Sequence, residues 1–127
     1  MVCHGKETRM ASRWWSVVVD CTDMRAQARF WASVFDWQIM FESDDEVAIA
    51  KDENSWPGMV FVNVPDAKAA KNRLHIDLNP NDQAEEVARL EGLGARRADI
   101  GQGEVRWVVM ADPEDNEFCV LTARPQV

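Results

Sequence analysis

Histidine occurs only twice and cysteine only three times in these 127 residues. Cys3, Cys21 and Cys119 are widely spaced and odd in number, which excludes a disulfide framework and matches no zinc-binding spacing. Reduced thiols in a cytoplasmic protein are the expectation. No apolar run approaches the roughly 20 residues that span a bilayer, and the opening MVCHGKETRMAS lacks the apolar core of a signal peptide. Positive charge is scarce as well: 14 Lys and Arg stand against 22 Asp and Glu, for a net charge of −8. That balance argues against nucleic acid or a membrane surface as partner. What is present is an ordinary globular composition, 46% hydrophobic and 28% charged, in a chain long enough for one domain with a real core.

Residues 1–12 show no periodicity and read as a disordered tail, leaving a single domain over 13–127. WWSVVVDC (14–21) is β-branched and predicts a strand. Asp23 then caps a helix, MRAQARFWASVF, that buries Ala28, Phe30, Trp31, Val34 and Phe35. Strands over 37–42, 46–51 and 59–64 complete module one (13–64), and PDAKAAKNR (65–73) connects it to module two (74–124). There the order recurs: a strand over 74–79, Asp82 capping QAEEVARLEGL, Gly94 ending that helix, and strands over 96–100, 104–111 and 117–122. Aligning SVVVDCTD (16–23) with HIDLNPND (75–82), and FDW (35–37) with LGA (93–95), puts Asp36 in the place of Gly94. Asp tolerates the left-handed conformation better than most residues. The implied fold is α+β: two β-α-β-β-β modules side by side, making two curved sheets or one incomplete barrel with a concave inner face.

His75, in RLHIDLNPND, is open to three readings: a metal ligand, a catalytic base, or a polar group satisfied by a neighbour. By strand alternation Asp77 shares its face, and Glu117 shares a face with Cys119. Cys119 is a nucleophile only if a nearby cation or helix end lowers its pKa; otherwise it is a small buried hydrophobe. Trp31, Phe30 and Phe35 belong to the core. Trp56, in NSWPG, is placed to rim a cup and Trp107, in EVRWVVM, to line it, although packing is the default use of such rings. Arg73 and Lys71 stand at the entrance to the His75 strand, where an anionic group would meet them.

Four stretches in order, DMRAQARFWASVFDWQI, VPDAKAAKNRLHIDL, ARLEGLGA and DPEDNEFCVL, resemble the vicinal oxygen chelate superfamily of glyoxalases, bleomycin and fosfomycin resistance proteins and extradiol dioxygenases. The resemblance covers about 13–124, and KNRLHIDL with DPEDNEFCV looks most like its bacterial glyoxalase-like branch. It implies a curved, partly open, barrel-like sheet and usually a dimer, which would also cover exposed sheet edges. It further implies a metal site in which a His opens the first strand of a module and a Glu lies on the last. His75 takes the His position of module two; its module-one counterpart is Ser16, a poor ligand beside imidazole. The Glu falls seven residues after the Asp of the DP turn, and counting from Asp112 lands on Cys119. In MVFVNV the counterpart is Met59, Phe61 or Val62, with Asn63 the one polar candidate. With one of four positions kept, no cofactor is expected. The alternative is a divalent ion (Zn, Fe, Ni or Mn) on His75, Cys119 and Glu117. Three functions follow: a binder of a small organic molecule, with Ser16, Asp77, Trp56, Trp107 and Arg73 as contacts; a lyase, isomerase or dioxygenase-like enzyme using His75 with Cys119 or Glu117, with or without a divalent metal; or a structural or regulatory module whose cup is closed by its own side chains.

Overall fold

The computed structural model describes residues 14–55 and 58–125, so the expected tail and Trp56 lie outside the described residues. Module one runs β1 (Val17–Cys21), α1 (Met24–Phe35), β2 (Gln38–Glu42), β3 (Val47–Ala50), a 3-10 turn (Glu53–Ser55) and β4 (Met59–Asn63). Module two runs β5 (Ile76–Leu78), α2 (Gln83–Leu93), β6 (Arg96–Arg97), β7 (Val108–Ala111) and β8 (Glu117–Val120). The sheets have the same order, β1-β4-β3-β2 and β5-β8-β7-β6, with the first and last strands of each module parallel neighbours. Among the described residues no ladder joins them, so the expected partly open arrangement is realised as two four-stranded sheets not closed into a barrel.

The helices start and stop where local chemistry directs. Asp23 accepts from the Ala26 N–H and Asp82 from the Glu85 N–H, each satisfying a donor that the first helical turn leaves free. At the other ends Asp36 (φ 56°) and Gly94 (φ 115°) both adopt the left-handed conformation, so the repeat holds even at the single residue that closes each helix. The strands of module two are shorter than their sequence implies. Beyond Arg97 the expected strand to Ile100 gives way to a turn. There Asp99 accepts from the Gly101 N–H, Gln102 accepts from the Ile100 N–H, and Gly101 and Gly103 both have positive φ. Side chains that bond nearby amides compete with the sheet ladder and win there. The strand predicted over 104–111 accordingly begins only at Val108, leaving Trp107 in an exposed loop.

α1 lies at the centre of the molecule. Phe30 and Trp31 meet Phe118 of β8 with ring centroids 6.3 and 5.1 Å apart, while Met59, Phe61, Val47 and Ile49 carry the same core into the first sheet. Edge-on aromatic pairs of this kind add about 0.5–1.5 kcal/mol to the area they bury. Across this contact runs one buried carboxylate, Asp112, 2% exposed. Its Oδ2 accepts from Gln27 Nε2 (2.6 Å), Trp31 Nε1 (3.0 Å) and Asn116 Nδ2 (3.1 Å), and its Oδ1 from the Glu114 and Asn116 N–H groups (both 2.9 Å). Next to it, Glu114 accepts from the Thr22 and Asp23 N–H groups and from Thr22 Oγ1, at the positive end of α1. The turn between β7 and β8 is thus bolted to the helix of the other module. Asp112→Ala would strand these buried donors at about 1–3 kcal/mol each for those not rescued by water. It is expected to lower stability by about 3 kcal/mol or more in urea unfolding.

Candidate functional site

In the parallel pair β5–β8, Asp77 stands opposite Cys119, Ile76 opposite Phe118 and Leu78 opposite Val120. Because side chains alternate, Leu78, Phe118 and Val120 enter the core and Ile76 packs against it, while Asp77, Cys119 and Glu117 take the other face. β5 begins at Ile76, so His75 stands just ahead of the strand. Its Nε2 lies 3.1 Å from Asp77 Oδ1, and one ligand atom each from His75, Asp77 and Cys119 lie within 4.8 Å of one another. About half of the His75 and Asp77 side chains is exposed (49% and 50%), whereas Cys119 is buried.

Burial, then the Asp77 carboxylate beside it, pushes the Cys119 thiol above its ordinary pKa, with Lys71 opposing. The thiol form therefore dominates at neutral pH, the reverse of an activated nucleophile. Cys21, the other free cysteine among the described residues, is pushed up to about 12 by burial and by the Glu114 and Asp112 carboxylates.

Glu117 is differently employed. Lys68 Nζ lies 2.9 Å from its Oε2, the Asn72 N–H donates to its Oε1 (2.8 Å), and Asn72 Nδ2 donates to its backbone carbonyl (3.0 Å). Burial disfavours its charged form, but the Asn72 N–H and the Lys68 ammonium outweigh this and hold the carboxyl below its usual range. It fastens the connector to β8. The connector and β6 then border an open cleft of about 450 Å³, whose walls include Lys68, Lys71, Arg96, Arg97, Ala111 and Glu117. Lys68 and Asn72 were not singled out in the sequence; nothing in KAAKN tells which strand the connector will cross.

The corresponding place in module one is apolar. Val18 stands opposite Val60 in β1–β4, as Asp77 stands opposite Cys119, and Ser16 precedes β1 as His75 precedes β5. Asn63 Oδ1 accepts the Met24 N–H at the start of α1 (2.8 Å), which spends the one polar candidate of β4 on a helix end. Arg73 is exposed at the end of the connector and Trp107 in its loop, while Ser16 is half-buried. The close-set group therefore comes from module two alone.

Two β-α-β-β-β modules of this topology are the fold of the glyoxalase/bleomycin resistance/dioxygenase superfamily. Residues 16–121 match the model of the glyoxalase-like domain, and the chain belongs to that family. Among solved structures it is similar to the fosfomycin resistance protein FosX from Listeria monocytogenes, in a mutant form complexed with Mn(II) and 1S,2S-dihydroxypropylphosphonic acid (16% identity, TM-score 0.65, 91% of this chain and 93% of that one). It is also similar to FosX from Mesorhizobium loti (17%, TM-score 0.63, 91% and 94%). A third is a glyoxalase/bleomycin resistance protein/dioxygenase family enzyme from Burkholderia phytofirmans (20%, TM-score 0.55, 83% and 94%). No curated protein sequence matches the chain.

The metal of such neighbours can be tested against the donors of this chain. Mn(II) is a hard ion that prefers oxygen and imidazole, and a buried cysteine sulfur at the centre of the group does not fit it. One imidazole, one carboxylate and one thiolate do fit zinc, as three protein ligands with a fourth position open. The sequence had offered His75 and Cys119 with Glu117 as third; the fold engages Glu117 elsewhere and supplies Asp77 instead.

The Glu117 contact carries a pH signature. Its folded pKa is depressed, so the stability that its charge contributes is present above the unfolded value of about 4.3 and lost as pH falls through the lower folded value. Glu117→Gln is expected to be less stable than wild type at pH 7, with the gap in urea midpoint shrinking from about pH 4.5 downward.

Proposed function

We propose that this protein binds a small organic anion on the outer face of β5-β8-β7-β6, as a homodimer in the reducing cytoplasm. The observation that carries the reading is the close-set group of His75, Asp77 and Cys119, with its first two members half exposed. The fold does not need these two polar side chains in the core, and their convergence gives a ligand an acceptor, a donor and a soft apolar sulfur at one spot. Lys71, whose charge is felt at Cys119, links this spot to the cleft, where Lys68, Arg96 and Arg97 stand among Asp99, Asp115 and Glu117, with Lys68 paired to Glu117 and Arg96 to Asp115. Among the described residues Lys71 makes no ion pair, and its exposed ammonium favours an anionic ligand.

The enzymatic alternative, a lyase, isomerase or dioxygenase-like reaction through His75 with Cys119 or Glu117, asks for a thiolate or a free carboxylate. Burial and Asp77 keep Cys119 a thiol, and Glu117 is held by Lys68 and Asn72. The binding reading is preferred on that ground.

The dimer is supported by β1, an edge strand that leaves Val17 and Val18 exposed, with Trp14 and Trp15 exposed just ahead of it. Such an edge invites pairing. Among the described residues no helix is long and apolar enough to cross a membrane.

Titration with a panel of small carboxylic and phosphonic acids, followed by tryptophan fluorescence, tests the reading. At least one acid is expected to bind, with His75→Ala and Lys71→Ala each weakening it about ten-fold, or 1.4 kcal/mol, and neither lowering the melting temperature appreciably. A large fall in melting temperature with unchanged binding would make His75 a structural residue. Light scattering is expected to give a dimer that Val18→Glu converts to monomer; a monomeric wild type at high micromolar concentration would refute the assembly.

A further inference from the structure

The donors of module two disagree with the hard ion seen in the neighbours, and the disagreement has a direction. We propose that His75, Asp77 and Cys119 form a zinc site contained entirely in module two, selective for thiophilic ions over Mn(II).

Two of the three donors lie on adjacent parallel strands, and His75 directly precedes the first of these. His75 and Asp77 are two residues apart and reach the same face, and the β5–β8 register sets Cys119 directly opposite Asp77. Their ligand atoms lie within 4.8 Å of one another, with His75 Nε2 3.1 Å from Asp77 Oδ1. Two ligands of one tetrahedral zinc are about 3.5 Å apart, given Zn–S near 2.3 Å and Zn–N near 2.0 Å. The group is therefore within a side-chain adjustment of closing on an ion. Zinc accepts sulfur, imidazole and carboxylate together, and binding it displaces the thiol proton to solvent. Mn(II) takes mainly oxygen ligands in octahedral geometry and gains little from the sulfur.

Accessibility and topology point the same way. Cys119 lies at the floor of the site while His75 and Asp77 are half exposed above it, which leaves a way in and an open fourth position. Module one offers Val18 and Val60 at the matching places, so it supplies no carboxylate or thiol there. Asp77 takes over as a ligand from within the same strand pair. The zinc proposal does not depend on which organic anion binds, because the metal can be titrated with no anion present.

The test uses the full chain, reduced and stripped with chelator, in a Cys3→Ser, His4→Ala background so that the N-terminal pair contributes nothing. Zn(II) is expected to bind at one per chain, at least about 100-fold more tightly than Mn(II). Co(II) is expected to give the near-ultraviolet sulfur-to-metal absorption of a thiolate ligand. Cys119→Ser should abolish that absorption, and Asp77→Asn should weaken zinc about ten-fold or more. Since Asp77 is half exposed, its variant keeps the test decisive even where loss of the buried Cys119 impairs folding. Zinc binding that is absent, no tighter than Mn(II), or unaffected by Asp77→Asn would overturn the proposal, as would a cobalt complex without the sulfur band.

Discussion

Asp112 is the interaction on which the rest of the structure depends. A carboxylate is costly to bury, and it stays buried here because five donors from three directions converge on it. Two come from α1 in module one and three from its own turn, so neither module satisfies it alone. With that turn fixed, β8 runs out in a defined register beside β5, and Phe118 points back at Phe30 and Trp31. The register that sets Cys119 opposite Asp77 is thus tied to a buried charge in the turn that leads into the Cys119 strand.

The two modules share topology and have parted in chemistry. Both end their first helix in a left-handed residue, and both pair first and last strands in parallel. On the outward face of those strands, however, module one carries Val18 and Val60 where module two carries Asp77 and Cys119. Backbone geometry is preserved by the core and the caps, which constrain the inner face. The outer face carries no such constraint, and there one copy became polar and the other apolar.

The connector adds a second division of labour. Lys68 and Asn72 take the carboxylate of Glu117 out of reach of His75 and turn it into an anchor for residues 65–73. A carboxylate two residues from Cys119 on the same face would read as a ligand in any alignment. Its partners make it a fastener, and the cleft next to it, lined by charges of both signs, is the space this fastening leaves.

Much of the fold was legible in the sequence. The two Asp caps, the Asp36–Gly94 equivalence, the helix bounds and the order of strands rest on local chemistry, a few residues that decide their own backbone. The Asp77–His75 proximity was legible too, since alternation along one strand fixes it. Strand ends in module two were not, because side chains of Asp99 and Gln102 drew backbone donors away from the ladder. What Asn63, Glu117 and Asp112 do lay beyond sequence reasoning altogether: each looks like a free polar group on its own strand or turn, and each is spent on an element 39 to 85 residues distant. By itself the sequence determined the repeated module and the residues available on each face. Only the tertiary structure decided which of them stayed free to meet a ligand, because that depends on partners the chain brings in from far away.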